Sequence, residues 1–158
     1  MSEKVPMTPE GHARLREELE HLKKVELPKV VNDIATAREH GDLSENAEYH
    51  AAKERQGMLV ARKTHIEQCL SRAEVIDPSK LRGNKVQFGA RVKLLNVDTE
   101  EEQLFQIVGP EEADLKLGRI SVASPLARSL LGHEVGEEIK VQMPAGPRVF
   151  EVLDITFS

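Results

Sequence analysis

The sequence predicts an α+β protein: an antiparallel coiled-coil helical hairpin followed by a small, mostly antiparallel sheet with one short helix. Three observations lead there. Residues 8–74 place apolar side chains at spacings of three and four, with one break near Gly41. Beyond residue 85 the texture changes to short β-branched runs that alternate apolar and polar positions. Between them Asp77-Pro78 ends the helical pattern, and a polar stretch runs on to Asn84. The expected organisation is a hairpin over 1–76, a linker over 77–84 and a second domain over 85–158.

Thr8-Pro9-Glu10 opens the first helix, with Thr8 as N-cap and Pro9 at the first helical position, where its missing N–H costs nothing. Leu15, Leu19 and Leu22 repeat at helical spacing, and so do Leu27, Val30, Ile34 and Ala37. The two runs are offset by one residue from a continuous heptad, and Pro28 sits at the offset. One long helix over about 8–39, kinked near Pro28, is expected. A turn follows at His40–Glu45, capped by Ser44 or Asn46. The second helix then runs from about 45 to 74, with Leu59, Ile66, Leu70 and Ala73 as its apolar stripe and Ala47, Ala51 and Met58 nearer the turn. Two helices of ~30 residues joined by so short a turn run antiparallel, as a rod of ~45 Å. In the second domain, strands are expected at 91–97, 103–108, 120–122, 138–143 and 148–157. The short helix at 125–131 is closed by Gly132.

Composition excludes several functions. The net charge is -5, and both halves of the chain are net acidic, so neither reads as a basic nucleic-acid-binding module. Aromatic residues are 3%, with no Trp and one Tyr, which argues against a deep aromatic pocket. There is no Gly-rich phosphate loop and no paired-cysteine zinc spacing. Cys69 is the single cysteine, and it reads as a small core residue. The chain begins without a long apolar run, so no signal peptide or membrane span is expected, and the cytoplasm is the expected location.

What remains is the turn. Glu39, Asp42, Glu45 and Glu48 fall within ten residues at the far end of a rod. Such a cluster is often only a solvated turn, whose carboxylates the following helix N-terminus favours. The other reading is an incomplete site for a hard cation. Mg²⁺ takes oxygen ligands and often uses one or two protein carboxylates, the remainder coming from a partner. Asp42 and Glu45, three apart across the turn, suit that role. Composition does not choose between the two.

The run Ala37-Arg-Glu-His-Gly-Asp-Leu-Ser-Glu-Asn-Ala-Glu-Tyr-His-Ala-Ala-Lys53 resembles the tip signature of the bacterial Gre family of transcript-cleavage factors. The resemblance extends along the chain through Met7-Thr-Pro-Glu-Gly11, Phe88-Gly-Ala90, Glu101-Glu-Gln103, Ile107-Val-Gly109 and Ile120–Gly132. It implies a coiled-coil hairpin joined to a domain of FKBP-like fold. The implied partner is RNA polymerase: the second domain docks at the rim of the secondary channel and the hairpin enters it. Asp42 and Glu45 are then the two tip acids that help hold a catalytic Mg²⁺ shared with the polymerase. The polymerase hydrolyses the 3′ end of backtracked nascent RNA. No cofactor is expected on the chain alone, which is expected to be a monomer and not itself an enzyme.

Within the matched stretches Asn46 reads as a helix cap or an active-site contact, and Tyr49 as tip packing or a surface for RNA. Arg38, Lys53 and Arg55 are candidates for RNA contact, although ordinary solvated helix charges explain each of them better. The absence of a dense basic run points to the GreA-like rather than the GreB-like branch of the family. Ser124-Pro125 is a candidate docking edge or simply a cap and turn. Three other functions compete, one of them a purely structural coiled-coil adaptor for which the acidic tip is incidental. A homologue that occupies the channel without promoting cleavage differs from this family at the tip, where Asp42 and Glu45 stand here. A peptidyl-prolyl isomerase needs aromatic walls, and the second domain offers only Phe88, Phe105, Phe150 and Phe157.

Overall fold

The computed structural model of the protein describes residues 3–41 and 46–157. Its contacts gather into two compact units. One is formed by the chain up to Gly11 together with everything from Ala73 onward, the other by His12–Arg72. Among the described residues no helix is long and apolar enough to cross a membrane.

Helix α1 (Pro9–His21) starts at the expected cap, with the Gly11 N–H donating to Thr8 Oγ1 at 3.1 Å. The single helix expected over 8–39 is instead three pieces. A π-helical turn spans Leu22–Glu26, and α2 runs from Leu27 to Arg38. In the widened turn the Leu27 N–H donates to the Leu22 carbonyl, five residues back. Pro28 follows at once. In an unbroken α-helix its ring would press on the carbonyl four residues earlier. The widened turn relieves that clash and also repairs the register. Buried Leu22 and Val30 are eight residues apart, one more than a heptad, and the π turn absorbs the extra residue. Leu15, Leu22, Val30, Ile34 and Ala37 are all buried as a result.

Helix α3 (Ala47–Arg72) forms the other arm of the hairpin. Its seam is not the expected one near the turn, because Ala47, Ala51 and Met58 are exposed. The covered positions include Tyr49, Ala52, Gln56, Leu59, Lys63, Ile66, Leu70 and, just beyond the helix, Ala73, which form an unbroken heptad pattern. Leu59, Ile66, Leu70 and Ala73 lie on it as expected; polar Gln56 and Lys63 also hold seam positions, and near the turn apolar identity placed the stripe at Ala51 and Met58, one residue off. Only Ile66 is fully buried, as expected when each helix has one partner. Across the pair, Arg62 forks onto Glu18, with Nε to Oε2 at 2.6 Å and Nη2 to Oε1 at 2.8 Å. Hydrogen bonding from Arg62 holds the Glu18 carboxyl below the usual glutamate range. Cys69 is half-buried rather than a core residue, with Sγ 3.5 Å from His65 Nε2 one turn earlier.

The other unit contains two strands the sequence did not reveal. β1 (Val5–Met7) and β2 (Ala73–Val75) pair in parallel, Val5 opposite Ala73 and Met7 opposite Val75. The second helix therefore ends at Arg72, and Ala73 belongs to a strand. The stretch expected as a linker opens with a packed 3-10 turn, Pro78–Lys80. Asp77 Oδ1 accepts from the Ser79 N–H at 3.0 Å and from its hydroxyl at 2.7 Å, which holds the Asp77 carboxyl below its usual range. Pro78 is buried against Gly89, where a Cβ would come within 2.8 Å of the proline ring.

The main sheet comprises β3 (Arg91–Asn96), β4 (Glu102–Val108), β5 (Arg119–Ser121), β6 (Glu138–Met143) and β7 (Gly146–Thr156) in the order β5-β4-β3-β7-β6. All pairs are antiparallel except β4 with β5. A register shift after Lys93 bends β3 against β7. In β3, Val92 and Leu94 are buried between exposed Arg91 and Lys93, and in β6 Ile139 and Val141 alternate with exposed Glu138 and Lys140. Helix α4 (Pro125–Leu130) contributes Leu126, Ala127 and Leu130 to the same core.

Two 3-10 turns, Pro110–Glu112 and Leu115–Leu117, connect β4 to β5. Glu112 is the one buried charged residue among the described residues, and its carboxylate accepts hydrogen bonds from Thr8 N–H at 3.0 Å, Gly109 N–H at 2.9 Å and the Thr8 hydroxyl.

Candidate functional site

Asp42 and Glu45, the residues on which the expected cation chemistry rests, lie outside the described residues, as does Ser44. Their flanks are described on both sides. Helix α2 closes through Glu39 N–H to Thr36 O and His40 N–H to Ala37 O, and Gly41 adopts φ +105°, a conformation that favours glycine. Helix α3 opens at Asn46, whose Oδ1 accepts the Tyr49 N–H at 3.0 Å while its carbonyl accepts from His50. Of its two expected roles, Asn46 fills that of the cap. Its amide also does something the sequence did not suggest. Nδ2 donates to the Ala37 carbonyl at 2.6 Å, tying the start of α3 to the last turn of α2.

Two more contacts cross the same gap. The Arg38 guanidinium carbon lies 5.8 Å from the Tyr49 ring centroid, within cation–π range. His40 Nδ1 lies 3.2 Å from Glu48 Oε2, both side chains largely exposed. Tyr49 is half-buried and also meets His50 edge-on at 5.5 Å. So Tyr49 packs at the base of the turn. A shallow groove nearby is lined by Thr36, Ala37, Ala51 and Ala52 together with the charged Asp33, Glu48 and Arg55.

The three candidate RNA contacts are spread rather than clustered. Arg38 is at the turn, stacked on Tyr49. Arg55 is further down the rod, 3.9 Å from Glu26. Lys53 is exposed and makes no ion pair among the described residues. In the other unit, Ser124 caps α4, its Oγ accepting the Ala127 N–H at 3.2 Å, and Pro125 follows on the exposed surface. Of the four phenylalanines, Phe150 is in the sheet core, and Phe88, Phe105 and Phe157 pack partly buried against it.

His40 was not singled out by sequence reasoning; the only available signal was its place eight residues before Glu48 across a turn. Glu112 was missed as well, although a signal existed. Thr8-Pro9-Glu10-Gly11 has the N-cap of a capping box but glycine where the reciprocating acid belongs.

Two family models cover almost the whole chain. Residues 5–75 match the N-terminal model of transcription elongation factors, and residues 81–157 match the C-terminal model of GreA/GreB transcription elongation factors. The chain is 51% identical over 157 residues to the transcription elongation factor GreA of Thermodesulfovibrio yellowstonii, covering 99% of each. It is 56% identical over 155 residues to that of Rhodospirillum rubrum, covering 98% of this chain and 99% of the relative. Among solved structures it is similar to the GreA factor homolog 1 protein of Thermus thermophilus, with 30% identity, coverage of 96% and 98%, and a TM-score of 0.45.

Proposed function

The chain belongs to the GreA/GreB family of transcription elongation factors, and from that membership we propose that it stimulates cleavage of backtracked RNA by bacterial RNA polymerase. In this reading the sheet-containing unit docks at the rim of the polymerase secondary channel. The hairpin enters that channel and brings Asp42 and Glu45 to the polymerase active centre and the nascent RNA 3′ end. The observation that carries the reading is the sequence of the turn, Gly41-Asp-Leu-Ser-Glu-Asn46, set between two braced helix ends.

The donor set suits a hard cation, since both acids offer only oxygen ligands. Asp42 and Glu45 would hold a Mg²⁺ ion shared with the polymerase, which when bound lowers the pKa of water and offsets charge on the phosphate. Two carboxylates do not enclose an ion, so the chain is not an enzyme by itself. The test compares RNA 3′-end hydrolysis in halted, backtracked complexes with and without the protein, and on free RNA with the protein and Mg²⁺. Cleavage should rise only when polymerase is present. Robust hydrolysis of free RNA, or no stimulation of the halted complex, contradicts the reading.

A further inference from the structure

We propose that Asn46 is a positioning residue for the tip, and that its bond to the Ala37 carbonyl, not its capping of α3, is what cleavage stimulation requires. This deepens the proposed function and rests on it. One side chain serves both helix ends: Oδ1 accepts the Tyr49 N–H at 3.0 Å and Nδ2 donates to the Ala37 carbonyl at 2.6 Å. Ala37 is buried, 3% exposed, so its carbonyl is a fixed anchor in the rod. That oxygen already accepts the His40 N–H at 3.1 Å. A cap needs only the Oδ1 bond. The second bond spans nine residues and fixes the distance between the two points from which the segment bearing Asp42 and Glu45 departs.

The surrounding contacts are weaker. The His40–Glu48 pair is largely exposed, and such pairs contribute little. The Arg38–Tyr49 stack sets no hydrogen-bonded distance. A side-chain amide bound at both ends is the only one of the three that combines a buried anchor with two directional bonds. Catalytic groups need placement far finer than a solvated turn supplies.

Asn46→Ser and Asn46→Asp separate the two roles. Both side chains cap helices well through an oxygen. Neither reproduces an amide N–H that reaches the Ala37 carbonyl, and only aspartate adds charge. In the full-length protein, both variants should retain helix content, a protected Tyr49 amide and polymerase affinity within about threefold. Both should lose about tenfold to a hundredfold in cleavage rate at saturating factor, the scale expected of slightly misplaced groups. A readout independent of activity is backbone ¹⁵N relaxation dispersion, which should show added millisecond exchange at His40, Gly41 and Glu48 in both variants. Wild-type cleavage and wild-type relaxation in Asn46→Ser overturn the proposal and leave Asn46 a cap. Loss in Asn46→Asp alone also overturns it, because the effect is then charge. Asp42→Asn run in parallel keeps the two readings apart. If it cleaves like wild type, the proposed function fails and the relaxation data alone judge the clasp. If it is inactive while Asn46→Ser is normal, only the clasp fails.

Discussion

The Glu112 carboxylate completes the cap of helix α1 from 104 residues away, accepting both the backbone N–H and the hydroxyl of Thr8. In a capping box the N-cap hydroxyl takes the N–H of the third helical residue, whose own acid returns to the N-cap N–H. Here the first half is present, Gly11 N–H to Thr8 Oγ1, but the third residue has no side chain. Glu112 supplies the other half through space. Gly11 is required for it, since a Cβ there would collide with the Glu112 carboxylate.

Glu112→Ala should therefore destabilise the protein well beyond an ordinary turn substitution. It strands the N–H groups of Thr8 and Gly109 and the Thr8 hydroxyl in a buried place, for a loss of about 2–4 kcal/mol. Gly11→Ala should cost a comparable amount by overpacking, about 1–3 kcal/mol. Urea denaturation followed by circular dichroism measures both. Changes within about 0.5 kcal/mol of wild type would mean that the carboxylate is dispensable.

The π turn makes a second prediction. If it exists to absorb one residue ahead of Pro28, deleting exposed Val25 restores heptad spacing between Leu22 and Val30. With Pro28 retained, the tightened helix regains the clash and should lose about 3 kcal/mol. Deleting Val25 and replacing Pro28 by Ala together should recover most of that loss. Equal stability of the single and double variants would detach the widened turn from the proline.

The Glu18–Arg62 fork should show in acid. Arg62 lowers the Glu18 pKa in the folded protein, so the linked stability is fully present above the unfolded value and is lost as pH falls through the lowered folded value. Both side chains are about two-fifths exposed, which keeps the contribution to no more than about 1 kcal/mol. By carboxyl NMR titration, Glu18 should return towards the ordinary glutamate range in Arg62→Gln, and the variant should lose less stability than wild type between pH 5 and pH 3. An unchanged Glu18 titration contradicts the assignment.

How much was legible depended on whether a feature repeats or closes locally. The hairpin, the strands of the main sheet and α4 repeat at period 3.6 or 2, or carry local caps such as Thr8-Pro9 and Ser124-Pro125, and these were readable. The one-residue offset at Pro28 was visible, but its resolution as a π turn was not, because a kink and a widened turn leave the same spacing. β1 and β2 were missed because three residues are too few to alternate and their partners are distant in sequence. That parallel pair also moves the first residues into the sheet-containing unit. Leu59, Ile66, Leu70 and Ala73 were legible in the α3 seam, but its part near the turn was misplaced because Gln56 holds a position that apolar counting skips. At the tip, the reading of Asp42 and Glu45 as cation ligands rests on the resemblance of the whole motif. The amide bond from Asn46 to Ala37 was legible in neither composition nor motif, since it depends on where two helix ends meet.

The central claim is that Asp42 and Glu45 act as cation ligands delivered to the polymerase. Asp42→Asn and Glu45→Gln preserve shape and remove charge, so both variants should fold. The measurement is the cleavage rate on a backtracked complex across a Mg²⁺ titration, with a polymerase binding curve beside it. Each variant should bind the polymerase within about threefold of wild type, lose at least about a hundredfold in cleavage at ordinary Mg²⁺, and recover in part when Mg²⁺ is raised. Wild-type cleavage by both variants at every Mg²⁺ concentration would contradict the account and leave the acids as a solvated turn.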